Sequence, residues 1–170
     1  MAAPFEIMVA RIETLALDAI VNSAKPDLSP NGALDAAIRQ AAGPSLTAHT
    51  NGMPALDPGE ATLTPGFNLP ARHIIHTAPP EWAEGGEEGA KIAALAGCYM
   101  SAIKLAQLQG FASMAFPCLG TGRLKWPRGF ACAIAVAACE QALTEAPGVK
   151  RVIFCCFTED DARLYRAALS

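Results

Sequence analysis

The chain has 170 residues, a formal net charge of −3 at pH 7, 52% hydrophobic residues and 17% charged ones. This length and apolar content suit one stable domain over 1–170 and exclude an intrinsically disordered chain. The negative charge argues against a nucleic-acid partner, which needs clustered Lys and Arg, but leaves open a phosphate-bearing small molecule held by backbone N–H groups.

Met1–Ala10 lack the basic start and long apolar run of a signal peptide, and Phe5–Val9 within them reads as a first strand. Ala19–Asn22 reads as a second strand. A helix is expected over Ala33–Ala42, where Leu34, Ala37, Ile38 and Ala41 recur at helical spacing and Gly43-Pro44 supplies the stop. Ser45–Gly59, rich in Pro, Gly and Asn, is expected to be a surface loop or a short helix. Strands follow at Ala61–Leu63 and His73–Thr77, then a helix at Glu88–Gln109 whose Lys91–Leu108 stretch reads as core. The remaining elements are a strand at Ser113–Cys118, a helix at Gly129–Glu145, a strand at Arg151–Phe157 and a helix at Glu159–Leu169.

The most apolar run, Ala131–Cys139, falls far short of the roughly 20 residues that span a bilayer, so no membrane partner is expected. Cys98, Cys118, Cys132, Cys139, Cys155 and Cys156 have neither disulfide-like nor metal-like spacing. Several lie in apolar segments, which suits buried free thiols in a reducing, cytoplasmic setting.

Alternating strands and helices imply an α/β domain with a mostly parallel sheet covered on both faces. A ligand is then expected outside the carboxyl ends of the strands, among Asn22–Gly32, Thr77–Pro80, Leu119–Pro127 and Thr158–Asp160. Two of these loops carry chemistry. Val21-Asn22-Ser23-Ala24-Lys25 leads to Pro30-Asn31-Gly32-Ala33-Leu34-Asp35 at a helix start, whose free N–H groups favour an anion. Phe116-Pro117-Cys118-Leu119-Gly120-Thr121-Gly122-Arg123 links a strand to a helix, and Gly120 and Gly122 let the backbone approach a ligand. The second loop is no Walker A motif, because the Gly-Lys-Ser/Thr ending is absent.

Four ordered stretches carry a resemblance that covers nearly the whole chain. DAIVNSAK at 18–25 looks like the (V)DAIVNAAN segment of the macrodomain family, and GEATLTPGFNLP at 59–70 resembles its G-E-A-x-x-T-x-G-x-x-L-P stretch. HIIHTAP at 73–79 and AFPCLGTGRLKWP at 115–127 are similar to its I-H-T-V-G-P and A-F-P-x-I-S-T-G-x-Y-G-Y-P segments. The resemblance implies a three-layer α/β/α macrodomain with a mixed, mostly parallel sheet. It also implies binding of ADP-ribose or a related nucleotide derivative, with hydrolysis of ADP-ribosyl esters such as O-acetyl-ADP-ribose in MacroD-type members. The alternative is a non-catalytic nucleotide-binding module with altered base preference. An ADP-ribosylated protein is the macromolecular partner this permits; no metal or other cofactor is implied.

Carried over by position, the resemblance assigns Gly120, Thr121 and Gly122 to a diphosphate loop, Gly32 and Ala33 to part of a glycine-rich loop, and Phe157 to packing on a base. Asp35 matches the acidic residue of the MacroD-type site, where it would position or activate water. Asn22, Lys25, Arg123, Leu124 and Arg11 complete the expected ligand-binding set. Several of these depart from the family pattern: Lys25 stands for an Asn, Arg11 for an Asp that meets the adenine amino group, Arg39 for a His, Leu124 for an aromatic and Lys125 for a glycine. An Asp accepts from adenine whereas Arg only donates, so base preference is expected to be altered or relaxed. Lys25 and Arg39 are expected to set two cations around Asp35, making it a poorer proton acceptor.

Simpler readings stand beside these. Asp35 and Arg39, spaced i, i+4, fit a surface ion pair. His73 and His76 point to opposite strand faces and read as structural, Cys118 as a buried thiol, and Trp126 as a packing or rim residue.

Overall fold

The computed structural model describes residues 4–82 and 87–170. The first three residues of the Met1–Ala10 segment lie outside the described residues. Six runs rich in β-branched and aromatic residues form the strands: β1 (Phe5–Val9), β2 (Ala19–Ser23), β3 (Ala61–Pro65), β4 (His73–Thr77), β5 (Ser113–Phe116) and β6 (Arg151–Cys156). They pair as one sheet in the order β1-β6-β5-β2-β4-β3. Every neighbouring pair is parallel except β3 with β4, so the sheet is mixed and mostly parallel.

The helices are α1 (Ala33–Ala42), α2 (Pro44–Thr50), α3 (Glu88–Gln109), α4 (Arg128–Leu143) and α5 (Glu159–Leu169). Pleating sends alternate strand residues to opposite faces. Val21, Met114, Phe116 and Phe154 pack with Leu95, Tyr99, Ile103, Ala135 and Tyr165 of α3, α4 and α5. On the other face Ile20, Ile74, Ala115 and Ile153 meet Ile12, Ile38 and Leu46, from a short 3-10 turn at Ile12–Thr14, α1 and α2. Completely buried side chains such as Ile38 and Ile74 each contribute about 1.5–3 kcal/mol by leaving water. This gives the three layers expected from the alternation of elements. Among the described residues no helix is long and apolar enough to cross a membrane.

Several boundaries differ from the sequence reading, each for a local reason. β5 stops at Phe116 and not Cys118, because Pro117 has no N–H to give the ladder. β6 ends at Cys156, leaving Phe157 free of the sheet. Helix α4 runs from Arg128 to Leu143, so it starts one residue before and ends two residues before the expected limits. The open alternative at 45–59 resolves into α2: Gly43 takes φ 89° to turn the chain, and Pro44 then sits at the first helical position.

Candidate functional site

With β1, β6, β5 and β2 parallel, the chain leaves their carboxyl ends on one side, around a cleft of about 640 Å³. Gly120, Thr121, Gly122 and Arg123 form one wall and Asn31, Gly32, Ala33 and Leu34 the other. The first wall is held from beneath: Leu119 N–H donates to Tyr99 Oη at 3.2 Å, and Trp126 Nε1 donates to the Pro80 carbonyl at 2.8 Å. Gly120 has φ 87°, and a Cβ there would lie 2.8 Å from the Trp126 ring, so only glycine suits the turn. The second wall is the start of α1. Gly32 is its N-cap and offers no side-chain bond, so first-turn N–H groups remain for an external anion. Arg123 Nη2 donates to Asn31 Oδ1, joining the two walls at the mouth.

Asp35 borders the cleft yet is 1% exposed. Its Oδ1 accepts from Asn22 Nδ2 at 2.7 Å, and its Oδ2 accepts from Asn31 N–H at 2.9 Å and Arg39 Nε at 2.8 Å. A carboxylate offers about four acceptor positions, so roughly one remains, on Oδ1. Arg39 is itself enclosed. Its Nη1 donates to Thr47 and Thr50 Oγ1 at 3.0 and 3.2 Å, and its Nη2 to the Leu28 carbonyl at 2.7 Å. The Asp35–Arg39 contact is therefore a buried ion pair and not the surface pair that its spacing suggested.

Behind this pair the polar chain continues through the sheet. Asn22 Nδ2 also lies 3.2 Å from His76 Nδ1, and His76 Nε2 lies 2.9 Å from Thr64 Oγ1. The amide nitrogen can only donate, so Nδ1 is the bare acceptor and the ring proton sits on Nε2. Burial, with the Arg39 cation adding to it, pushes the His76 pKa down to about 4, consistent with this neutral ring.

At the far end Phe157 stands 81% exposed, the most open large apolar side chain described. Ala10 N–H donates to the Cys156 carbonyl at 3.1 Å, which keeps Arg11 and Phe157 side by side as β1 and β6 end. Arg11 Nε meets Glu13 Oε1 at 3.0 Å. Glu13 lines the cleft and was missed by sequence reading; the only signal for it was its place two residues after Arg11.

Comparison with known proteins decides the family. The Macro domain family model matches residues 21–135. The chain belongs to the Macro domain family. A macro domain-containing protein of Mesorhizobium japonicum is 41% identical over 159 residues, covering 94% of this chain and 89% of that protein. An O-acetyl-ADP-ribose deacetylase of Klebsiella pneumoniae is 37% identical over 174 residues, covering 100% of this chain and 98% of that protein. The solved macrodomain of Oceanobacillus iheyensis with ADP superposes with a TM-score of 0.91 at 35% identity, covering 97% of this chain and 89% of that one.

Within this macrodomain the sequence-derived site residues separate into two groups. Arg11, Gly32, Ala33, Asp35, Gly120, Thr121, Gly122, Arg123, Leu124 and Phe157 all border the one cleft. Asn22 and Lys25 do not. Asn22 is fully buried behind Asp35 and acts on it, while the charge of Lys25 acts on Asp27. Of the two cations expected around Asp35, only Arg39 makes the contact. Lys125 keeps a left-handed backbone, φ 62°, where the family stretch has glycine.

The structural readings hold for Trp126, His73 and His76, whereas Cys118, expected to be a buried thiol, is half-buried. Trp126 is buried against Trp82 and Phe130, as packing and not rim. His73 packs on Phe111, and His76 belongs to the network above. Cys118 borders the cleft, but contact with the Cys156 thiol and burial push its thiol far above the ordinary range, which removes thiolate nucleophilicity. Among the described residues no group of three or more His, Cys, Asp or Glu could hold a metal ion.

Proposed function

We propose that this macrodomain binds ADP-ribose or a closely related nucleotide derivative in the cleft and hydrolyses ADP-ribosyl esters of the O-acetyl-ADP-ribose type. The observation that carries the reading is the pairing of two N–H-rich walls, Gly120–Gly122 and the uncapped start of α1, across one cleft with an exposed aromatic at its end. A diphosphate fits between the walls, where backbone N–H groups and the helix dipole stabilise it without net basic charge. Phe157 then offers its face to the base. The remaining acceptor position of Asp35 orients a ribose hydroxyl or a water, and its fixed setting places that group without the carboxylate turning.

An ester on a protein carboxylate presents the same reacting bond, so an ADP-ribosylated protein is the macromolecular substrate this reading permits. The six free cysteines suit a reducing, cytoplasmic setting. A second reading, binding without turnover, is favoured by one observation: the buried Arg39 pair occupies the carboxylate that would take up a proton.

Titration calorimetry with ADP-ribose, followed by an ester-hydrolysis assay on O-acetyl-ADP-ribose, tests both readings. Micromolar binding, about −8 kcal/mol, with turnover supports the hydrolase. Binding without turnover selects the module that only recognises its ligand. No binding overturns the nucleotide reading altogether.

A further inference from the structure

The exposed end of the cleft holds one acceptor and one donor side by side. Glu13 is largely buried, with its side chain 12% exposed, while the Arg11 it holds at 3.0 Å reaches into solvent, 72% exposed. Both border the main cleft and a second, shallower hollow of about 240 Å³ that they share with Ala37 and Gln40. Arg11 is the only hydrogen-bonding or ion-pairing partner of the Glu13 carboxylate among the described residues, so that group keeps acceptor capacity. Phe157 beside them supplies a flat apolar face that takes any base, because every base has a π-face. Base choice at this end therefore falls to the edge-reading groups.

We propose that the Arg11–Glu13 pair sets the base selectivity of this macrodomain and makes it accept 6-amino and 6-oxo purines nearly equally. The inference rests on the nucleotide reading of the cleft given above. A 6-amino purine presents a donor at position 6 and an acceptor at N1. A 6-oxo purine presents the reverse. A lone carboxylate satisfies only donors and is repelled by an oxo oxygen, and a lone guanidinium satisfies only acceptors. The two together satisfy either order, by exchanging which residue meets position 6. The recognition function that the family places on one Asp is here divided between two residues of opposite sign.

Calorimetry of the wild-type protein, Glu13→Ala and Arg11→Ala with ADP-ribose and with its hypoxanthine counterpart tests this. The wild-type Kd values are expected to agree within about fivefold, less than the loss of one charged hydrogen bond. Glu13→Ala leaves the guanidinium alone, which still meets N1 of the amino purine or the oxygen of the oxo purine, and weakens both ligands about tenfold. Arg11→Ala leaves the carboxylate alone, which still meets the amino group of one base or the N1–H of the other, and likewise weakens both about tenfold. Thermal melts confirm that both variants are folded. Affinities that stay within about twofold of the wild-type values in both variants identify an ordinary surface ion pair and overturn the inference, as does a wild-type preference above about tenfold for either base. If the wild-type protein binds neither ligand, the nucleotide reading itself has failed, which is a separate result.

Discussion

Two helices begin at the edge of the cleft, and their first turns are built in opposite ways. In α5, Thr158 Oγ1 accepts from Asp161 N–H at 3.2 Å, and Glu159, Asp160 and Asp161 stand at the positive end of the dipole. Asp161 in turn pairs with the exposed Arg128. The N-terminus of α5 is thus supplied with acceptors and negative charge from its own chain. In α1 the N-cap is Gly32, without a side chain, and the one acid of the first turn, Asp35, faces inward to Asn22, Asn31 and Arg39. The chain thus withholds a side-chain cap from the α1 N-terminus and commits most of the acceptor positions of its one acid to Asn22, Asn31 and Arg39.

The largest effect is expected from breaking the inward turn of that acid. Asp35→Ala leaves the Arg39 guanidinium buried without its partner, and urea unfolding should show a loss of about 3–5 kcal/mol. A loss under about 1 kcal/mol would mean that the pair is solvated in solution.

Acid is the next lever, because the network behind α1 ends in a neutral histidine. The folded-state pKa of His76 lies below its unfolded value of 6.5, at about 4. The unfolded chain therefore takes up the proton first as pH falls. The contribution of His76 is fully present above about pH 6.5 and is lost as pH falls towards 4, by about 3 kcal/mol. Unfolding curves at several pH values measure this, and His76→Gln should flatten that segment of the profile.

The smallest effects on stability sharpen the comparison most. Thr158→Ala removes the cap of α5 and should cost about 1 kcal/mol in urea unfolding. Gly32→Asp gives α1 a side-chain cap, as Thr158 gives α5, at a position where a Cβ meets nothing closer than Arg123 Nε at 3.9 Å. Stability should change by a few tenths of a kcal/mol, whereas affinity should fall at least tenfold, about 1.4 kcal/mol, as the carboxylate occupies the N–H groups. Unaltered affinity in Gly32→Asp would remove the α1 terminus from the site.

Much of this was legible in the chain itself. Helical periodicity placed α1, α3 and α5 at their observed limits, with Gly43-Pro44 as the stop of α1, because apolar spacing acts locally. The glycines at 120 and 122 marked a loop that lines the cleft, since a glycine-rich turn is visible without knowing its partners. α2 stayed unresolved between loop and helix because seven residues are too few for a periodic signal.

The sequence by itself determined the six strands, the longer helices, the family and the loop that lines the cleft, since each depends on residues near one another in the chain. Only the tertiary structure decided how deep those residues sit and whom they meet. The i, i+4 spacing of Asp35 and Arg39 is the same at a surface or in an interior; the packing of α2 and of the 25–31 loop over Arg39 made it an interior pair. Glu13 became a cleft residue through the pairing of β1 with β6, which brings residues some 145 positions apart into one edge. Long-range register, and not local pattern, assigns the chemistry there.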